Sequence, residues 1–217
     1  MAMETQMFLG LDLGKRRDYT ALVAGFRRTV VKAWDPVQVR FPTAPRMEFI
    51  LAERYPLGTR YTDIAKDLAR RWRVAESRGW GVRCAVDATG VGEAVLEIMD
   101  AVGLKGRVWP VMITGGHGDT GSLPGRKGAS YHSATKSQLF YMLRAGMEQG
   151  RTVIRKDMPG FEELMHELRC VEEIRTPNGY LTASGKGSGH DDLAFAAALA
   201  QWALLQSYPG DVRVPWL

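Results

Sequence analysis

Cysteine is nearly missing from these 217 residues: there are two, Cys84 and Cys170, and no CxxC pair. That excludes a disulfide framework and makes a thiolate zinc site an unlikely design, so both read as buried free thiols of a cytoplasmic protein. Long apolar runs are missing too. None approaches the roughly 18 residues of a membrane span. No basic-then-apolar leader opens the chain, so no membrane partner is expected. No internal repeat is visible. The GxxxxGK[ST] loop that cradles nucleotide phosphates does not occur, which argues against a P-loop motor within these residues.

What is present is an ordinary globular composition, 45% hydrophobic and 24% charged, enough for one well-cored domain over residues 1–217. The net charge of +5 fits a polyanionic partner. Strands are expected over Met7 to Asp12, Tyr19 to Phe26 and Thr29 to Trp34, the last two joined tightly at Arg27-Arg28. Val37 to Tyr55, broken by prolines, reads as an irregular or edge passage. Thr62 is placed as the cap of a helix whose Ile64, Leu68, Trp72 and Ala75 recur at helical spacing and whose Arg70, Arg71 and Arg73 face solvent.

A strand over Val82 to Val86 runs into Asp87, followed by a Thr89-Gly90-Val91-Gly92 turn, a helix, and a strand over Val108 to Ile113. Residues 114–131, rich in Gly and Ser, read as a long mobile loop. Ser133 is assigned as the cap of the next helix. A short strand at Thr152 to Ile154 and a helix from Pro159 follow. A β-hairpin extension is expected over about 171–185, turned by Asn178-Gly179. The last helix, from Leu193 to Leu205, is apolar on most faces and should be buried. Trp72, Trp80, Trp109 and Trp202 fall in apolar patterns and read as core. The whole is an α/β domain: a mixed central β-sheet flanked by helices on both faces.

Three acidic points share one placement in that scheme. Asp12 lies in or at the end of the first strand, Asp87 ends the fourth, and Asp191-Asp192 open the last helix. Sites in open α/β sheets form at the carboxyl ends of strands, where these groups can converge. Clustered carboxylates repel one another unless divalent cations sit between them. Hard oxygen donors and only four histidines favour Mg²⁺ or Mn²⁺ over zinc. Two such ions suit phosphodiester cleavage. Each acid also has an ordinary alternative. Asp12 could close a turn, Asp87 with Thr89 could cap a helix, and Asp191-Asp192 could complement a helix dipole.

The segment VDATGVGEAVLEIM resembles the middle motif of the nuclease domain of phage terminase large subunits, the DNA-packaging proteins. GLDLGKRRDYTALV is similar to the first motif, and GHDDLAFAAALAQWA to the last. YHSATKSQLFYMLRAGMEQGRTVI is similar to the family's Lys-bearing helix. The resemblance spans nearly the whole chain. It implies a ribonuclease H-like fold and an endonuclease that cuts double-stranded DNA during viral genome packaging, with two Mg²⁺ or Mn²⁺ ions as cofactors. By motif position Asp12, Asp87 and Asp191 are the expected principal metal ligands, and Asp192 an additional ligand. His190 and Lys136 are possible supports, against the alternatives of a solvated loop histidine and an exposed helix lysine. Asp18 and Thr20 are expected to brace the first turn.

Lys15, Arg16 and Arg17, Arg126 and Lys127, and Lys186 lie near these motifs and are the expected DNA-contacting residues. The acidic group Glu162, Glu163, Glu167, Glu172 and Glu173 should lie away from DNA. The resemblance also implies a packaging ATPase domain, a small terminase subunit and a portal as partners, and the host cytoplasm as location. This chain opens just before the nuclease's first strand, so no ATPase domain is expected in it. A Holliday-junction resolvase or transposase-type strand transferase would carry similar carboxylates in other contexts. An actin-like ATPase needs two such domains, and a DNA-binding assembly module without catalysis would explain the basic charge alone.

Overall fold

In the computed structural model the described residues are 5–14, 18–31, 33–37, 39, 43–90, 92–115, 122–124, 130–175, 181–185 and 190–207. Three strands open the fold: β1 (Gln6–Asp12), β2 (Ala21–Val31) and β3 (Thr43–Arg54). Helix α1 (Tyr61–Ser77), β4 (Gly81–Asp87), α2 (Gly92–Met99) and β5 (Val108–Ile113) follow, with a π-helical turn over Asp100–Leu104 after α2. Then come β6 (Ser122–Pro124), β7 (Ser130–Ala134), α3 (Lys136–Glu148), β8 (Thr152–Ile154), α4 (Phe161–Cys170), β9 (Val171–Arg175), β10 (Leu181–Gly185) and α5 (Asp192–Ser207).

The main sheet has eight strands in the order β6-β7-β5-β4-β1-β2-β3-β8. The pairs β7/β5, β5/β4, β4/β1 and β3/β8 are parallel, and β6/β7, β1/β2 and β2/β3 antiparallel. The expected mixed sheet with helices on both faces is therefore observed. Alternation along β1 divides the core: Met7, Leu9 and Leu11 pack with Ile64, Leu68 and Trp72 of α1, whereas Phe8 packs with α3, α4 and α5. Helix α5 is buried on nearly every side from Asp192 to Leu204, sandwiched between the sheet and α3 and α4. β9 and β10 pair antiparallel as a separate two-stranded sheet, and the Asn178-Gly179 turn expected between them lies outside the described residues. Cys84 and Cys170 are free, Cys84 being buried. Trp72 and Trp202 are buried, and Trp80 and Trp109 pack partly buried against the core.

Several elements depart from expectation, each for a physical reason. Arg27-Arg28 is not a turn but the middle of one long strand, where Arg28 Nε donates to Glu48 Oε2 on β3 at 3.0 Å. The proline-broken passage holds a twelve-residue strand, β3. Pro45 lies in it outside the stretch that pairs with β8, where a missing N–H costs little. Helix α1 starts at Tyr61 rather than after Thr62, and its cap residue Arg60 supplies no side-chain bond. The Tyr61 hydroxyl instead donates to the Gly14 carbonyl at 2.8 Å, tying the helix start to the turn after β1.

Ser133 lies within β7, and the cap of α3 is Thr135, in a reciprocal capping box with Gln138. The glycine-rich stretch is not all loop, since β6 and β7 pair within it and extend the sheet edge; the rest of the stretch at 116–121 and 125–129 lies outside the described residues. Arg71 is not merely solvated, because it bridges Asp67 and Glu53. Among the described residues no helix is long and apolar enough to cross a membrane.

Candidate metal centre

β1 and β4 are parallel neighbours in register, Leu11 opposite Val86, so Asp12 and Asp87 end adjacent strands at the same edge. Side chains alternate along a strand, which puts Asp12 on the side of Phe8 and Asp87 on the side of Ala85. Both of those residues pack beneath α5. The two carboxylates therefore end on the face that α5 covers. Gly10, between Phe8 and Asp12 on that face, sets how closely α5 lies. A Cβ there would come within 1.9 Å of the Ala196 carbonyl oxygen and 2.6 Å of the Ala200 nitrogen. Only glycine lets the helix backbone rest on β1, and this contact carries the helix N-terminus to the end of the strand.

Asp191 and Asp192 stand at that N-terminus. The Asp191 carbonyl accepts the first helical bond, from Phe195 N–H at 2.8 Å. Its carboxylate turns to α3, where Lys136 Nζ donates to Asp191 Oδ2 at 2.7 Å. Lys136 also lies over the Phe195 ring, 4.9 Å from its centroid, so its stem and charge are both placed. Asp192 is buried, and its Oδ2 has Arg54 Nε at 3.7 Å and His190 Nδ1 at 3.6 Å. His190 packs edge-on against Tyr19, and the Arg54 guanidinium lies over the same Tyr19 ring.

The turns that carry the strand-end acids are braced. Gly14 N–H donates to the buried Thr20 hydroxyl at 3.1 Å, as expected of Thr20. Asp87 Oδ1 accepts from Thr89 N–H at 2.7 Å, and Thr89 Oγ1 accepts from Ile113 N–H at 2.7 Å. Asp87 thus closes its own turn at the strand end.

The electrostatics are those of acids crowded together. Asp12 is held well above the usual carboxylate range, first by burial and then by the charge of Asp87 and Asp192; Lys136 pulls the other way, and Asp191 adds to the rise. Asp192 is pushed up to about 6, first by burial and then by Glu167, with Arg54 and His190 opposing. Among the described residues no group of three or more His, Cys, Asp or Glu side chains is drawn together closely enough to hold a metal ion as it stands. The donor set nonetheless suits a hard divalent cation. It is all carboxylate oxygen, and among the described residues the buried Asp192 Oδ2 has no hydrogen-bond partner.

The structure therefore brings together Asp12, Asp87, Asp191, Asp192, Lys136 and His190. Lys15, Arg16, Arg17, Arg126, Lys127 and Lys186 lie outside the described residues. Two members of the constellation escaped the sequence reading. Glu167, grouped there with a distant acidic surface, is 1% exposed and pairs with Arg54 beside Asp192, while Glu162, Glu163 and Glu172 are exposed.

No family model matches the chain. Terminase large subunits of Thermus phage G20c and Thermus virus P23-45 are 27% and 30% identical to it over 192 residues, 88% of this chain. The chain spans about 30% of the length of these curated relatives. Among solved structures it is similar to the large terminase nuclease of thermophilic phage G20c with bound magnesium. The TM-score is 0.58 at 23% identity, covering 92% of this chain and 82% of that one. In sequence the chain is similar to part of the terminase large subunits, and its ribonuclease H-like fold is that of large terminase nuclease domains.

Proposed function

We propose that this chain is a divalent-cation-dependent endonuclease that cuts double-stranded DNA during viral genome packaging, with Asp12, Asp87, Asp191 and Asp192 as the ligands of two Mg²⁺ or Mn²⁺ ions. The observation that carries this reading is the convergence of Asp12 and Asp87, which end adjacent parallel strands, with Asp191 and Asp192 at the N-terminus of the helix seated on Gly10. Burial and these neighbouring acids raise the Asp12 carboxyl above its ordinary value, a situation that bound cations relieve. The phage G20c nuclease, similar in fold, was solved with bound magnesium.

When bound, the cations would activate water and neutralise charge on the attacked and leaving oxygens. The chain's own residues prepare that place. Asp12 and Asp87 are fixed by adjacent strands and braced turns, so their oxygens are presented without rearrangement of the backbone. Lys136 holds Asp191 and puts a positive charge beside the acids, where a DNA phosphate would come. His190 stands beside Asp192, its Nδ1 3.6 Å from Oδ2. Lys15, Arg16, Arg17, Arg126, Lys127 and Lys186 flank these motifs in sequence and would add salt-dependent contacts to the DNA backbone. By likeness to the longer relatives, a packaging ATPase, a small terminase subunit and a portal would be its partners, in the host cytoplasm.

The test is cleavage of supercoiled plasmid. Nicking and linearisation are expected with Mn²⁺ or Mg²⁺, with little sequence preference, and none in EDTA. Asp12→Asn, Asp87→Asn and Asp191→Asn are each expected to abolish cutting while circular dichroism and thermal melts keep the folded signature. Undiminished cutting by Asp87→Asn would refute the assignment.

A further inference from the structure

An aspartate at a helix N-terminus ordinarily spends its carboxylate on the free N–H groups of the first turn. Here that bond is made by a residue from another helix. Glu167 Oε2, on α4, accepts from Ala194 N–H at 2.9 Å. Its other oxygen, Oε1, is hydrogen-bonded by the Arg54 guanidinium at the end of β3. Glu167 is 1% exposed, so both bonds form away from solvent. With Ala194 served, the Asp191 carboxylate is released to Lys136.

Arg54 is arranged just as specifically. Its guanidinium is gripped by Glu167 and laid over the Tyr19 ring. Its Nε stops 3.7 Å from Asp192 Oδ2, beyond hydrogen-bond reach. Within the described residues neither atom has a hydrogen-bond partner, although both are buried. The two form an ion pair without a hydrogen bond, and Arg54 stays at that distance because its guanidinium is bonded elsewhere. Glu167 is the restraint on Arg54.

We infer that Glu167 and Arg54 form a positioning pair for the cation site: Glu167 caps α5 in place of Asp191, whose carboxylate pairs with Lys136, and keeps Arg54 in a long ion pair with Asp192 rather than a hydrogen bond. The inference rests on the metal-site reading above. Neither residue is assigned contact with DNA or a cation; both act through the two aspartates.

The pair is tested by Mn²⁺ binding to the DNA-free protein, read as loss of the free-ion signal in electron paramagnetic resonance, alongside cleavage as a function of Mn²⁺. Glu167→Gln keeps the volume and an oxygen for Ala194 but loses the charge that grips Arg54. Arg54 is then free to join Asp192, and Mn²⁺ affinity is expected to fall about 10-fold, in the range of residues that orient ligands. Adding Arg54→Gln removes the competitor and is expected to restore affinity to within about 3-fold. Melting in EDTA verifies that both variants are folded.

A role confined to stability predicts the reverse order, with the double variant no better than the single one. Wild-type affinity in Glu167→Gln, or no recovery in the double variant, overturns the inference while leaving the metal site standing. Mn²⁺ binding that Asp12→Asn does not weaken overturns the site reading itself, and the inference with it.

Discussion

Replacing Gly10 by alanine changes one hydrogen for a methyl group on a strand that is invisible from the surface. The Cβ would stand 1.9 Å from the Ala196 carbonyl oxygen, a backbone atom that no rotamer change can move aside. To reach an ordinary contact distance, α5 must retreat by at least about 1 Å, or β1 must bow away from it. Overpacking of this kind costs about 1–3 kcal/mol. For a domain of this length that lowers the melting temperature by roughly 2–12 °C. The functional loss should be larger than the stability loss suggests. The retreating helix carries Asp191 and Asp192, and a displacement of about 1 Å in a catalytic group can cost about 100-fold in rate. Paired measurements of the thermal melt in EDTA and of plasmid nicking at saturating Mn²⁺, both below the melting range, separate the two effects. Nicking within about 3-fold of wild type in a protein destabilised as expected would mean that the seat of α5 on β1 does not set the site.

Two further outcomes follow from single side chains. His132, half-buried between Trp109 and Trp202, is held below the ordinary histidine value by burial. A depressed value means that the unfolded chain takes up its proton first. The stability His132 allows is therefore fully present above about pH 6.5 and lost as pH falls toward its folded value. In metal-free denaturant melts from about pH 8 to pH 5, His132→Gln should lose less stability than wild type; superimposable curves would refute this. Thr135→Ala removes the oxygen that accepts from Gln138 N–H at 3.1 Å, and should cost about 1 kcal/mol, or roughly 2–4 °C, with Thr135→Ser largely restoring it. An unchanged melt would mean that the capping box adds nothing to α3.

The acids were legible because each carries a local signal. Asp12 interrupts an apolar strand, Asp87 ends another, and Asp191-Asp192 begin a helix that is apolar all round. Strand alternation and sheet order then bring them to one edge. The errors lie where local signals compete with tertiary ones. Arg27-Arg28 has turn-like polarity, but the strand continues because β3 runs alongside and offers Glu48 as a partner. Ser133 is a good capping residue placed two positions early; the Thr135-x-x-Gln138 box was written in the sequence, and β7 claims Ser133 for the sheet.

Glu167 and Arg54 were illegible for a different reason. Their pairing closes 113 positions of chain, and Glu167 reaches the α5 backbone across another 27. Glu167 follows Glu162 and Glu163 on its own helix and precedes Glu172 on β9, all three exposed, so composition assigns it to a solvated face. Helical phase alone would have set it apart, since it lies three residues beyond the buried Leu164 on the same face. A glutamate in phase with a core leucine must find a cation or a backbone donor on folding, or be neutralised. Arg54, ending β3 with its guanidinium over the Tyr19 ring, is the cation available. That a buried charge demands a partner is readable from sequence. Which partner meets it depends on the sheet order, and the partner chosen here puts the pair against the metal ligands rather than at the far side of the molecule.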